Sequence, residues 1–230
     1  MNALILVGGL GSRLKNKVPH LPKPMAPIGD KPFLELLMKR LNNHGFKKII
    51  LCTGYKSELI RNHFSNNYRN MTIAYSNEQK SLGTGGAIKI ALDIIDSNED
   101  IFIFNGDTFF EIDYFKFKNF HKENDFSLTI ALKNMNEFDR YGSVDIDRNF
   151  RIHNFNEKEY RKEGLINSGV YLTTYETLAK LPKKEVFSFE YDFLNQNVNK
   201  LRFGGYISNG FFIDIGIPQD YEKAKVILNE

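Results

Sequence analysis

The chain has 230 residues, of which 42% are hydrophobic, and this is enough apolar material for one substantial core. Its 31 basic and 28 acidic residues give a net charge of only +3 and are spread along the chain, so we expect no nucleic-acid partner. No segment approaches the ~18 consecutive apolar residues of a membrane span, and the single cysteine, Cys52, cannot form an internal disulfide, which favours a reducing cytoplasm over a membrane or secreted location.

Short apolar runs alternate with amphipathic segments in the first half of the chain. Apolar residues at helical spacing predict one helix over 33–41, after Pro32, and another over 87–95, after a glycine-rich loop. Alternation of strands and helices is typical of a mostly parallel sheet with helices on both faces. The predicted strands of this half are 3–7, 48–52, 72–75 and 101–104.

After about residue 125 the strands become shorter and turn signals more frequent, which predicts a smaller antiparallel part. A hairpin turn is predicted at Asp147, and Pro218 begins a final helix over 218–228, where its missing N–H costs nothing. We therefore predict one α/β domain over 1–230, divided at about 1–125, 126–210 and 211–230. The predicted strands of the later part are 127–133, 143–147, 151–155 and 166–173, followed by an apolar run over 211–215.

A glycine-rich segment follows the first predicted strand. Gly8, Gly9 and Gly11 allow the backbone to approach a polyphosphate and offer it N–H groups, and the Arg13 guanidinium suits phosphate oxygens. The alternative is an ordinary glycine-rich turn. A dinucleotide fingerprint would need a glycine in place of Leu14, and a P-loop would need Gly-Lys-Ser/Thr, so neither motif fits.

Lys23 lies between two prolines shortly after this loop, and each proline restricts the backbone around it. Such a lysine can be held in one direction, although alone it would be interpreted as a solvated loop residue. Asp107 and Asp214 each lie close to a glycine near the end of an apolar run. They could serve as helix caps or turn formers, but their oxygens are also the hard ligands that Mg²⁺ prefers.

These motifs together resemble the signature of the sugar-1-phosphate nucleotidyltransferase family. The run G-G-x-G-x-R-L from Gly8 is followed by P-K-P around Lys23, and later segments resemble further family motifs in the same order. Segment 82–87 resembles the base-binding loop, Asn-Gly-Asp at 105–107 the first metal aspartate, and 212–218 the segment of the second. Segments 141–142, 155–158 and 167–171 resemble the sugar-phosphate pocket. The implied fold is a Rossmann-like, GT-A-like mixed sheet with an antiparallel sugar-binding subdomain.

The resemblance implies nucleotidyl transfer from a nucleoside triphosphate to a sugar 1-phosphate, with Mg²⁺ as cofactor. Arg13, Lys23, Asp107 and Asp214 are the implied catalytic residues, and the two aspartates are the implied metal ligands. The implied nucleotide site comprises Arg13, Lys23 and Asp107 with Leu6, Gly8, Gly9, Gly11, Ser12, Glu78, Gly83 and Thr84. The implied sugar-phosphate site comprises Tyr141, Gly142, Glu157, Lys158, Asn167 and Gly169.

The substrate pair is predicted from finer features. Glu78 precedes the base loop, and its carboxylate could accept the N–H donors of guanine, which favours GTP. The short chain and the segment 188–194 most resemble heptose 1-phosphate guanylyltransferases, which make GDP-sugars for surface polysaccharides. Mannose-1-phosphate guanylyltransferases and glucose-1-phosphate thymidylyltransferases are the nearest alternatives. An NAD(P)-dependent oxidoreductase and a catalytically silent regulatory subunit are alternatives of other classes. The sequence also allows a homo-oligomer.

Overall fold

The computed structural model of the chain describes residues 1–9, 11–14, 17–95 and 99–228, without the side chain of Ser12. The strands are β1 (Asn2–Leu6), β2 (Pro27–Ile28), β3 (Lys31–Pro32), β4 (Lys48–Thr53), β5 (Asn67–Tyr68), β6 (Met71–Asn77), β7 (Ile101–Asn105), β8 (Thr108–Phe110), β9 (Leu128–Phe138), β10 (Gly142–Ile146), β11 (Ile152–Lys158), β12 (Arg161–Thr173), β13 (Phe203–Ser208) and β14 (Phe212–Asp214). The α-helices are α1 (Phe33–Asn43), α2 (Ser57–Phe64), α3 (Gly83–Ala91), α4 (Tyr114–Glu123), α5 (Tyr175–Leu178) and α6 (Pro218–Ile227).

A large mixed sheet forms the centre of the fold. Its order is β11-β10-β12-β7-β1-β4-β6-β5, and β9 pairs with β12 on one side and with β13 on the other. Strands β7, β1, β4 and β6 are parallel, so their carboxyl ends lie at one edge of the sheet. Strand β1 is central, and Ala3, Leu4 and Ile5 are all fully buried, as expected for a strand covered on both faces. The predicted α/β fold class is confirmed.

The antiparallel strands continue the same sheet. Strand β12 pairs with β9, β7 and β10, and its register with β9 breaks between Asn167 and Tyr171, where Gly169 has a φ of +75°. Strands β10 and β11 form the predicted hairpin. The Asp147 carboxylate closes its turn by accepting from the backbone N–H groups of Asn149 and Arg151 at 2.8 and 3.0 Å. The division of the chain near residue 125 stays a prediction.

Several elements were not predicted. Helix α4 begins after Asp113, whose side chain accepts from the N–H groups of Phe115 and Lys116, a typical N-cap. Its buried face is largely aromatic, so the aliphatic spacing that predicted α1 is missing. Helix α2, strands β8 and β13 and a π-helical segment, Phe189–Asn195, were also missed. No helix of the described ranges is long and apolar enough to cross a membrane.

Cys52 provides a direct test of how closely the sheet is packed. The side chain is 2% exposed at the end of β4, and burial, followed by the nearby Glu78 carboxylate, raises the pKa of its thiol. We expect the native protein to react with a disulfide reagent such as DTNB at least about 100-fold more slowly than a free thiol, since the thiolate is the reactive form. The urea-unfolded protein should react at the ordinary rate. Rapid reaction of the folded protein would contradict this packing.

Candidate functional site

A cleft lies at the edge of the sheet where the parallel strands end. It contains two cavities of about 340 and 540 Å³. Both cavities are lined by Arg13, Thr84, Asn105 and Gly216, so they meet along this shared border. Ligands of open α/β sheets bind in this position, outside the carboxyl ends of the strands.

The predicted nucleotide-binding residues lie together around the smaller cavity. The glycine-rich loop leaves β1, and Lys23 belongs to a short 3-10 turn, Lys23–Met25, against which Gly11 packs. A Cβ atom at Gly11 would lie 2.7 Å from the Cβ of Lys23, so only glycine fits this approach. The predicted residues that line the cavity are Leu6, Gly8, Gly9, Gly11, Arg13, Lys23, Glu78, Gly83, Thr84 and Asp107. The side chain of Ser12 lies outside the described residues.

Glu78 has a structural contact in addition to its predicted role toward the base. Its Oε2 accepts from the backbone N–H of Leu82 at 3.0 Å, which fixes the loop that leads into α3. Its carboxylate packs against Gly8 and Gly54, where a Cβ atom would lie within 2.8 Å of Oε1. Burial raises the pKa of Glu78, and the Leu82 N–H opposes that shift. Gly54 was not predicted, although a glycine immediately after a buried strand is a signal of such close approach.

The two predicted metal ligands come from neighbouring strands of a small ribbon. Asp107 precedes β8 and Asp214 ends β14, where it is paired in register with Thr108. The backbone N–H of Ile215 donates to the carbonyl of Asp107 at 3.0 Å, which joins the two segments. The Lys23 ammonium forms an ion pair with Asp107. Residues from three distant parts of the chain therefore come together, with Lys23 and Asp107 on the wall of the smaller cavity and Asp214 on the wall of the larger one.

Electrostatics at the aspartates fit a divalent cation. Burial, and next the neighbouring Asp107 carboxylate, raise the pKa of Asp214, while Lys23 and the Gly216 N–H act in the opposite direction. At Asp214 the Asp107 carboxylate therefore acts more strongly than the Lys23 ammonium, and a cation would relieve this repulsion. Among the residues that the structure describes, no group of three or more His, Cys, Asp or Glu side chains could hold a metal. Two carboxylates with remaining positions for water and phosphate oxygens suit Mg²⁺, which keeps several waters.

The predicted sugar-phosphate residues lie around the larger cavity. The break in β12 turns Asn167 and Gly169 toward it, and a Cβ atom at Gly169 would lie 2.5 Å from Asn105 Nδ2. Asp214 also lines this cavity, whereas Asp107 lines the smaller one. The predicted residues on its wall are Tyr141, Gly142, Glu157, Lys158, Asn167 and Gly169.

Several residues of the larger cavity were not predicted. Arg140 donates to the Tyr141 hydroxyl at 3.0 Å and forms an ion pair with Asp220 of α6. The Tyr141 hydroxyl is thereby left with its own proton to donate, and burial, followed by Asp214, raises its pKa. Glu190 and Asn105 also line the cavity. Asn105 belongs to the Asn-Gly-Asp motif, so its position beside Asp107 was a usable signal.

Comparison with known proteins identifies the family. A family model described as "Nucleotidyl transferase" matches residues 2–230. The chain belongs to the nucleotidyl transferase family. This nucleotidyl transferase is 49% identical to the D-glycero-alpha-D-manno-heptose 1-phosphate guanylyltransferase of Aneurinibacillus thermoaerophilus, over 98% of this chain and 97% of the relative. It is 46% identical to the protein of that name from Campylobacter jejuni, over 96% and 97%.

Solved structures agree with the family assignment. The crystal structure of HddC from Yersinia pseudotuberculosis complexed with GMP-PN has a TM-score of 0.86 to this nucleotidyl transferase, with 39% identity over 99% of each chain. A putative glucose-1-phosphate thymidylyltransferase from Bacillus anthracis, at 18% identity and a TM-score of 0.88, shares the fold alone. The family and fold predicted from the ordered motifs are confirmed, whereas the individual residue roles stay predictions.

Proposed function

We propose that this protein transfers GMP from GTP to the phosphate of D-glycero-α-D-manno-heptose 1-phosphate and releases pyrophosphate, in the cytoplasm. The observation that carries the proposal is that the two cavities meet at Arg13, with Lys23 and Asp107 on the wall of one and Asp214 on the wall of the other. A nucleotide in one cavity and a sugar phosphate in the other would bring their phosphates together at this border. The full-length similarity to two heptose 1-phosphate guanylyltransferases supports this substrate pair.

The proposed reaction needs positioning and charge stabilisation rather than a covalent enzyme intermediate. A phosphate oxygen of the sugar phosphate attacks the α-phosphorus of GTP, and the bond from that phosphorus to the oxygen bridging to the β-phosphate breaks. Pyrophosphate leaves with the electron pair, and no proton must move. In the proposed reaction Arg13 holds the departing phosphates, Lys23 those near the reacting phosphorus, and Lys158 the sugar phosphate, and the cavities that these residues line support these roles.

Asp107 and Asp214 are the proposed ligands of Mg²⁺, which would neutralise phosphate charge when bound. Lys23 holds one carboxylate in place through its ion pair with Asp107. The Gly216 N–H donates to Asp214 Oδ1 and fixes the other. The protein itself therefore restrains both carboxylates.

The proposed activity is tested by measuring pyrophosphate release over a matrix of nucleoside triphosphates and sugar 1-phosphates with Mg²⁺. We expect the highest kcat/KM for GTP with the heptose phosphate, a lower value with mannose 1-phosphate, and a much lower one with glucose 1-phosphate. A hydroxyl of the wrong configuration leaves a buried polar group unpaired, at about 1–3 kcal/mol. A preference for dTTP with glucose 1-phosphate would overturn the substrate pair.

Recognition of guanine by Glu78 gives a separate prediction. Oε2 of Glu78 already accepts from the Leu82 N–H, so Oε1 is the less engaged acceptor for the N1–H and N2–H₂ groups of guanine. ITP lacks the exocyclic amine of GTP. We expect kcat/KM of the wild-type enzyme to be about tenfold higher for GTP than for ITP, and we expect Glu78→Gln to reduce this GTP-to-ITP ratio. Steady-state kinetics with both nucleotides measures it.

The control for this variant is Glu58→Gln, an exposed glutamate on α2, which should keep the wild-type ratio. If Glu78 only shapes the loop, Glu78→Gln would weaken GTP and ITP equally. That result would show that Glu78 does not recognise the base.

A further inference from the structure

A continuous series of hydrogen bonds joins the two cavities. It runs from Thr84, on the border of both, through Glu190 and Tyr171 to Asn167 in the larger cavity. Glu190 lies in the π-helical segment Phe189–Asn195, which begins after the N-cap Ser188. Segments of π-helix are rare and frequently occur at functional sites. The proposed reaction assigns no role to Glu190.

The direction of the first bonds is fixed by a backbone donor. The N–H of Phe189 donates to Thr84 Oγ1 at 2.8 Å, so the Thr84 hydroxyl uses its own proton to donate to Glu190 Oε2 at 2.7 Å. Ser188 Oγ accepts from the N–H of Tyr191 and likewise donates to Glu190 Oε2 at 3.0 Å. Both hydroxyls therefore need an acceptor at position 190.

The other end is fixed in the same way. The N–H of Gly169 donates to Asn167 Oδ1 at 2.9 Å, which turns Asn167 Nδ2 toward the Tyr171 hydroxyl at 3.1 Å. Tyr171 accepts that bond and donates to Glu190 Oε1 at 3.3 Å. The Tyr171 side chain is fully buried, so its hydroxyl cannot turn to bulk water. The remaining N–H of Asn167 is left for a ligand.

A carboxylate is the side chain that satisfies all these donors. Three hydroxyl groups, from Thr84, Ser188 and Tyr171, point their protons at Glu190. A glutamine would place an NH₂ group against at least one of them, and the backbone N–H groups at both ends prevent the series from reversing. A carboxylate at position 190 therefore completes, together with the two backbone N–H groups, the set of bonds that holds Thr84 directly and Asn167 through Tyr171.

We propose that Glu190 is a positioning residue that orients Thr84 toward the nucleotide and Asn167 toward the sugar, and so links the two substrate pockets. This inference rests on the proposed function, because Thr84 and Asn167 are the residues proposed to meet the substrates. It divides the series into a nucleotide branch through Thr84 and a sugar branch through Tyr171. A substitution at Tyr171 removes the sugar branch alone, whereas a substitution at Glu190 disturbs both branches.

The experiment compares Glu190→Gln and Tyr171→Phe with wild type in steady-state kinetics using GTP and the heptose 1-phosphate. Glu190→Gln should raise the KM of both substrates by about tenfold, since it disturbs both branches. Tyr171→Phe removes one hydroxyl and should raise the KM of the sugar phosphate by a similar factor while leaving that of GTP unchanged. In the double variant the KM of the sugar phosphate should rise no further than in either single variant.

The matched control is Glu176→Gln, an exposed glutamate on α5, whose KM values should equal those of wild type. Thermal unfolding reports whether each variant is folded. If Glu190→Gln does not fold, Tyr171→Phe alone tests the sugar branch. Unchanged KM values in folded Glu190→Gln, or an equal rise for both substrates in Tyr171→Phe, would overturn the inference. A wild-type enzyme inactive with GTP and the heptose phosphate would instead overturn the proposed function, and the variants would then be compared on the pair that it uses.

Discussion

Replacing Asp107 or Asp214 with asparagine is expected to lower kcat/KM by about 10³-fold or more. Each carboxylate supplies charge where two phosphate groups must meet, and removing one such charge from a preorganised site costs several kcal/mol of transition-state stabilisation. Asp107 immediately precedes β8, and Asp214 ends β14 opposite Thr108, so the ribbon of β8 and β14 brings the two residues together. Pyrophosphate release with GTP, the sugar phosphate and millimolar Mg²⁺ measures the effect.

The stability of these variants separates lost chemistry from lost fold. Burial and the neighbouring Asp107 charge raise the pKa of Asp214, so the ionised carboxylate is unfavourable in the protein without a cation. Asp214→Asn should therefore be at least as stable as wild type in the absence of Mg²⁺. Wild type should gain thermal stability when Mg²⁺ and GTP are added, whereas the variant should gain less.

The control is Asp93→Asn, an exposed aspartate that lines neither cavity, which should retain wild-type turnover and the same response to Mg²⁺. Near-normal activity of either folded site variant would exclude that aspartate as a metal ligand.

The glycine and proline motifs made much of this site predictable. Close backbone approach leaves a strong local signal, so Gly8, Gly11 and the prolines around Lys23 indicated a phosphate loop before any contact was known. The predicted site residues that the structure describes line one cavity or the other. What the sequence could not supply was the ribbon of β8 and β14, because three-residue strands are too short for a periodic pattern.

The role of Glu190 cannot be predicted from local sequence signals. Its partners Thr84 and Tyr171 come from α3 and β12, so the need for an acceptor exists only in the folded chain. Glu78 is a different case, since its proximity to the base loop was predicted but its bond to Leu82 was not. A carboxylate near a glycine loop can either recognise a ligand or hold the loop, and composition alone does not separate these uses. The roles of both glutamates could be assigned only from their contacts in the folded structure.

Arg13→Ala is expected to lower kcat by about 10²- to 10³-fold with little change in the KM of the sugar phosphate. Charge accumulates on the departing pyrophosphate mainly in the transition state, and a guanidinium stabilises it through paired, charge-assisted hydrogen bonds. An interaction made mainly in the transition state appears in kcat rather than in KM. Arg13 is exposed at the border of both cavities, so it is within reach of either substrate's phosphates, and the kinetic split decides between them.

Arg13→Lys refines the test, because it keeps the positive charge but loses the planar fork that binds two phosphate oxygens. Its kcat should fall between those of Arg13→Ala and wild type. Arg148→Ala, at an exposed arginine in the turn between β10 and β11, is the matched control and should leave both constants unchanged. If Arg13→Ala changed only the KM of the sugar phosphate, Arg13 would hold the incoming phosphate instead. Lys23, which lines the same cavity as the glycine-rich loop, would then be the residue that stabilises the leaving group.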